Sequence, residues 1–149
     1  MQTQQRPHER LKQFIEEGRI LRGKWADTDE QGRERACLLA ALSPEVARDK
    51  RASSCPASLM PQWFATLTPL MDDNGSTEAW PAMIRRYADL ASRWHVLEQS
   101  DWEHVRLKIN RASVLEAMSH LDSKQSDAFN VCSVVVALYD RTESDRKSG

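Results

Sequence analysis

The stretch WPAMIRRYADLASRWHVL, residues 80–97, decides the fold class. Trp80, Met83, Ile84, Tyr87, Leu90, Ala91, Trp94 and Leu97 recur at i, i+3, i+4, i+7. That spacing gathers them on one side of an α-helix, because about 3.6 residues complete a turn. The other side carries Arg85, Asp89 and Arg93 at i, i+4 spacing, a pattern that a solvated helix face satisfies within itself. Arg86 has no acid four residues away in either direction, which marks it as a contact residue.

The same period extends to both sides of this stretch. Ser100-Asp-Trp-Glu103 has the form of a capping box and predicts a helix from Asp101 to about Leu121. Trp102, Val105, Ile109 and Ala112 lie on one side of it, and Leu107, Val114, Met118 and Leu121 on roughly the other. A helix with two apolar sides is expected to be central and packed on both flanks. His104, Lys108 and Arg111 form a short basic stripe on the same helix. Ser126 reads as the cap of a last segment, DAFNVCSVVVALYDR. Its length and cap predict a buried helix, despite the strand propensity of Val134-Val135-Val136.

Upstream, Leu59, Met60, Trp63, Phe64 and Leu67 keep helical spacing until Thr68-Pro69, which ends or kinks that helix. MDDNG, 71–75, reads as a turn. Pro7 opens a first helix with Leu11, Phe14 and Ile15 on one face, and Gly18 stops it. RERACLLAAL, 33–42, reads as a helix ending before Ser43-Pro44, with a helical turn following in PEVARDK. RILRGKW, 19–25, is either a short strand or an extended link. The expected architecture is all-α: a compact single-domain bundle of five or six helices with a Trp-rich core. It covers residues 6–140, with flexible termini at 1–5 and 142–149.

Composition agrees with this reading. A chain of 149 residues suits one domain, and five glycines are few for a sandwich or barrel. A net charge of −1 with both signs interspersed argues against a general polyanion binder. The five tryptophans, Trp25, Trp63, Trp80, Trp94 and Trp102, are read as core anchors. Trp63 doubles as a partner-binding candidate, since Trp is enriched at interfaces. Cys37, Cys55 and Cys132 are odd in number and far apart, which predicts free thiols in a reducing compartment. With no apolar signal region and no span-length apolar run, the expected location is cytoplasmic and no membrane partner is assigned.

One stretch resembles metal chemistry. In ADTDEQGRERACLLAAL, 26–42, Asp27, Asp29 and Gly32 fall where a calcium loop places its first, third and sixth residues. The fifth position is Gln31 and the twelfth is Leu38, which cannot coordinate. In the second acidic stretch the first position would be Leu70 and the twelfth Pro81. Both stretches suit acidic turns that launch helices, where carboxylates meet unpaired N–H groups. A shared catalytic metal would require Asp27 or Asp29 to approach Asp72 or Asp73.

Other catalytic patterns are missing from the sequence. His8, His95, His104 and His120 form no H-E-x-x-H, and Ser113 and Ser133 sit in no nucleophile elbow. The usual phosphate-cradling loops are absent, and Cys37 and Cys132 fall in apolar runs. No catalytic residue, metal site or cofactor is assigned, and the protein is not expected to be an enzyme. The expected function is that of a small helical adaptor, regulator or inhibitor that binds another macromolecule, in the first place a protein. Arg86, His104, Lys108, Arg111 and Trp63 are its candidate contact residues. The alternative is a nucleic-acid binder acting through the basic stripe of helix 101–121, and behind it a metal-dependent hydrolase on the two acidic turns. The oligomeric state is left open.

Overall fold

The computed structural model describes residues 5–121 and 127–148. Among them the chain is mostly helical, with one small two-stranded sheet. It forms two compact units, one up to Val96 and one from Leu97 onward. None of the described helices is long and apolar enough to cross a membrane.

In the first unit, α1 (Pro7–Glu16) starts at its proline and buries Leu11 and Phe14. Gly18 follows in the left-handed region at φ 66, the stop expected there. The chain then runs extended. Ile20 makes a parallel bridge to Ala36, and the Leu21 amide donates to the Ala36 carbonyl at 2.9 Å. β1 (Ala26–Thr28) pairs antiparallel with β2 (Glu34–Ala36), setting Asp27 opposite Arg35.

The helix expected over 33–42 is therefore corrected. Its first part is strand, and α2 spans only Leu38–Leu42. The cause lies outside the segment. Ala36 is gripped from both sides: its amide donates to the Arg19 carbonyl, and its carbonyl accepts from Leu21. Cys37 donates to the Trp25 carbonyl at 2.9 Å. These bonds hold residues 34–37 extended against the local helical preference. All five residues of α2 are buried, so this short helix is the centre of the unit.

Ser43 ends α2 and caps α3 (Pro44–Asp49), accepting the Val46 amide on its hydroxyl. A 3-10 turn at Ala52–Ser54 leads to α4 (Gln62–Asn74). The helix expected to end or kink at Thr68-Pro69 runs on through Pro69, and 71–74 of the MDDNG stretch, expected as a turn, supply its last turn. Proline removes one N–H, but tertiary bonds anchor the turn beyond it. Arg22 donates to the Asp72 and Gly75 carbonyls at 2.8 and 2.7 Å.

α5 (Trp80–Ala91) is the core of the stretch 80–97, with Ile84, Tyr87, Ala88 and Ala91 buried. It ends about one and a half turns early, in a 3-10 turn at Trp94–Val96. The tighter winding sets Trp94 edge-on to Tyr87 and Phe64, with ring centroids 5.0 and 5.3 Å apart. Trp94 belongs to the core, while Trp25, Trp63 and Trp80 are half-buried around it.

The second unit is a helical hairpin of α6 (Gln99–Ser119) and α7 (Asp127–Ser148). α6 starts two residues earlier than the capping box at Ser100 suggested, because the Asp101 carboxylate accepts the Glu98 amide at 3.0 Å. The cap read at Ser126 lies outside the described residues. α7 is a helix as expected, but none of its described residues is buried. Among the described residues its helical neighbour within the unit is α6, and one neighbour covers one side. Residues 142–148, read as a tail, continue α7. Arg146 there donates to the Ser100 carbonyl at 3.0 Å, tying the end of α7 to the start of α6.

Candidate functional site

Among the described residues of the first unit, the buried acid is Asp72. The buried line of α4 runs Phe64, Thr68, Asp72, one turn apart, and carries a carboxylate into the interior. Its Oδ1 accepts the Trp80 indole N–H at 2.6 Å and its Oδ2 the Leu38 amide at 3.3 Å. Burial raises its pKa, while the bonds from Trp80 and Leu38 pull the other way. The neighbouring Asp73 accepts the Gly23 amide at 2.9 Å. Four segments meet here: the link before β1, the start of α2, the end of α4 and the start of α5.

A cavity of about 150 Å³ lies against this junction, lined in part by Trp25, Cys37, Pro69 and Asp72. Burial pushes the Cys37 thiol up to about 11. At neutral pH it is a thiol, and no described histidine lines the cavity to take its proton. Both Asp72 oxygens already accept N–H donors. Through these bonds Asp72 and Asp73 hold the four segments together.

The acidic stretch 27–32 is corrected from a helix-launching turn to the tip of the β-hairpin. Asp29 accepts the Gln31 and Arg33 amides at 2.9 and 2.8 Å and the Arg33 side chain at 2.9 Å. These bonds, the Arg33 amide first, hold its carboxyl below the usual range. Gly32 takes φ 76 to close the turn. Asp27 grips Arg35 through two bonds of 2.8 Å across the strands. Asp27 and Asp29 thus each face a guanidinium. Among the described residues no three metal-ligating side chains cluster.

The five contact candidates fall in different places. Arg86 is exposed on α5, and Trp63 packs edge-on to Phe64 at 5.5 Å. Asp89, read as the partner of Arg85 and Arg93, pairs with Lys12 of α1 at 3.6 Å. His104, Lys108 and Arg111 lie on α6. Arg111 donates to Asp140 of α7 at 2.7 Å. The Glu143 carboxyl is held low chiefly by Lys147, with Lys108 and His104 adding to the effect. The basic stripe is therefore directed at least in part toward acids of its own hairpin.

A groove on the first unit has no counterpart in the sequence reading. Two adjoining clefts, of about 530 and 420 Å³, share Arg6, Pro7, Ser58 and Leu59 as lining. Pro7, Leu59, Ala91 and Trp94 supply apolar surface. Arg6, His8 and His95 supply cations or N–H donors, and Glu45 is the one acid among the described lining residues. Glu45 accepts the Ser43 hydroxyl at 2.8 Å. Arg10 also lines the larger cleft, but its guanidinium donates to the carbonyls of Ala40 and Ala41 at 2.8 and 2.6 Å. The groove thus joins residues from α1, the loop before α4 and the end of α5.

Comparison with protein-family models, with curated proteins and with solved structures returned no match in any of the three.

Proposed function

We propose that this protein works without catalysis, by binding another protein through the groove of its first unit. The observation that carries the reading is the pair of adjoining clefts with apolar floor and cationic edge. Sites that bind chain segments are concave, mostly apolar, and carry a few polar groups that fix orientation. Arg6 beside Pro7, Leu59 and Trp94 suits a partner segment with apolar side chains and a carboxylate. The occupied state of the Asp72 carboxylate and the neutral Cys37 thiol support the non-enzymatic part. The nucleic-acid reading through His104, Lys108 and Arg111 has less behind it, since Arg111 is paired with Asp140.

The test is affinity capture with three baits: the native chain, Leu59→Glu with Arg6→Glu, and Lys108→Glu with Arg111→Glu. The expected result is a stoichiometric protein held by the native chain and the α6 variant and lost from the groove variant. A partner lost from the α6 variant instead, or no stoichiometric partner at all, contradicts the reading.

A further inference from the structure

The outward side of α7 has a composition unlike a solvated surface. Val131, Val134 and Leu138 are 62%, 61% and 52% exposed and stand at i, i+3, i+7. At about 100° per residue they share an arc of roughly 60°, so they form one continuous apolar stripe. The other side of the helix is taken up by α6, through the Arg111–Asp140 pair and the bond from Arg146 to Ser100.

The charges at the two ends of the stripe say what covers it. Asp127 lies near the line of the stripe at its N-terminal end, and Arg141 flanks it one turn beyond Leu138. Both are exposed, and neither makes an ion pair among the described residues. They are placed evenly about Val134, seven residues to either side. We infer that α7 is the contact face of a symmetric dimer, in which the α7 stripes of two copies pack antiparallel across a two-fold axis beside Val134.

An isologous interface must be complementary to itself. Antiparallel packing about Val134 brings each Asp127 opposite Arg141 of the second copy, on both sides of the axis. Parallel packing would set Asp127 against Asp127 and Arg141 against Arg141. The charge pattern therefore selects both the orientation and a partner with the same pattern, a second copy of this chain. The geometry fits as well. Two α6–α7 hairpins joined along α7 make a four-helix arrangement, the smallest in which α7 is covered on two sides.

The test is sedimentation equilibrium of the full chain from low micromolar to about 200 μM, with circular dichroism as the check on folding. The native chain is expected at twice its 17.1 kDa mass. Val134→Glu, which brings two carboxylates together at the axis, is expected to be monomeric with unchanged helix content. Arg141→Asp is expected to weaken the dimer at least ten-fold, and Asp127→Arg added to it to restore most of that loss. A monomeric native chain at the highest concentration overturns the proposal. So does a dimer indifferent to Val134→Glu, or a double charge swap that weakens association further than the single one. The charge-swap pair decides the matter even where Val134→Glu fails to fold.

Discussion

Trp80 donates its indole N–H to Asp72 across the junction of α4 and α5, at 2.6 Å. The same carboxylate receives the Leu38 amide at the start of the buried α2. One side chain thus ties the end of one helix to the beginnings of two others, and Arg22 adds the link before the hairpin.

Removing this carboxylate leaves two donors without their acceptor. Asp72→Ala is expected to cost about 2–4 kcal/mol, lowering the Tm by roughly 5–15 °C. Asp72→Asn keeps one acceptor and is expected to cost less. The pH dependence has a definite sign. Burial raises the folded pKa of Asp72, so the fold favours its neutral form and the unfolded chain ionises first. Its contribution falls as pH rises from about 4 through the raised value. The stability difference between the native chain and Asp72→Asn should narrow over that range in urea titrations. A constant difference would contradict the raised pKa.

The thiols give a second pH window. Cys37 and Cys55 are both pushed up to about 11 by burial. The fold favours neutral thiols, so stability should decline between about pH 8.5, where unfolded cysteine ionises, and about 11. Urea midpoints at pH 8 and 10.5 check this against a chain carrying Cys37→Ala and Cys55→Ala, which should decline less. Alkylation at pH 8, followed by mass spectrometry, should modify the half-buried Cys132 first. If Cys37 reacts fastest, it is an activated nucleophile and the non-enzymatic reading fails.

The calcium-like stretch is expected to be indifferent to calcium. Asp29 holds its own turn through Gln31 and Arg33. Asp29→Ala should therefore lower the Tm slightly, and equally with millimolar calcium and with chelator. A Tm that rises with calcium in the native chain and not in the variant would restore the metal reading.

On the hairpin, the Arg111–Asp140 pair is partly exposed on both sides, and such pairs are worth about 0–1 kcal/mol. Arg111→Glu should cost that much, and Asp140→Arg should recover it. The same chain should show no measurable DNA or RNA binding at low salt. Binding with a steep salt dependence that Lys108→Glu with Arg111→Glu abolishes would favour the nucleic-acid alternative.

What the sequence made legible was local. The lines Trp63–Phe64–Leu67 and Ile84–Tyr87–Ala91 and the helical spacing of α6 and α7 repeat within one helix, so one helix suffices to read them. The hairpin failed because Glu34-Arg-Ala36 is too short for an alternation to show, and its partners are Arg19, Leu21 and Asp27, up to seventeen positions earlier. The Asp72 junction leaves a trace in the spacing: two steps of four residues from Phe64, through Thr68 and past Pro69, end on Asp72. The groove had none, because Arg6, Leu59 and His95 come from three distant segments and no spacing connects them.

The most direct test of the binding reading is site-specific photocrosslinking. A photoreactive amino acid replaces Ser58, shared by both clefts, and in a second protein Asn130 on α7. In native lysate, position 58 should capture one discrete protein, and a Leu59→Glu background should abolish the adduct. Capture of that protein from position 130 alone, or from position 58 regardless of Leu59→Glu, would contradict a groove-bound partner.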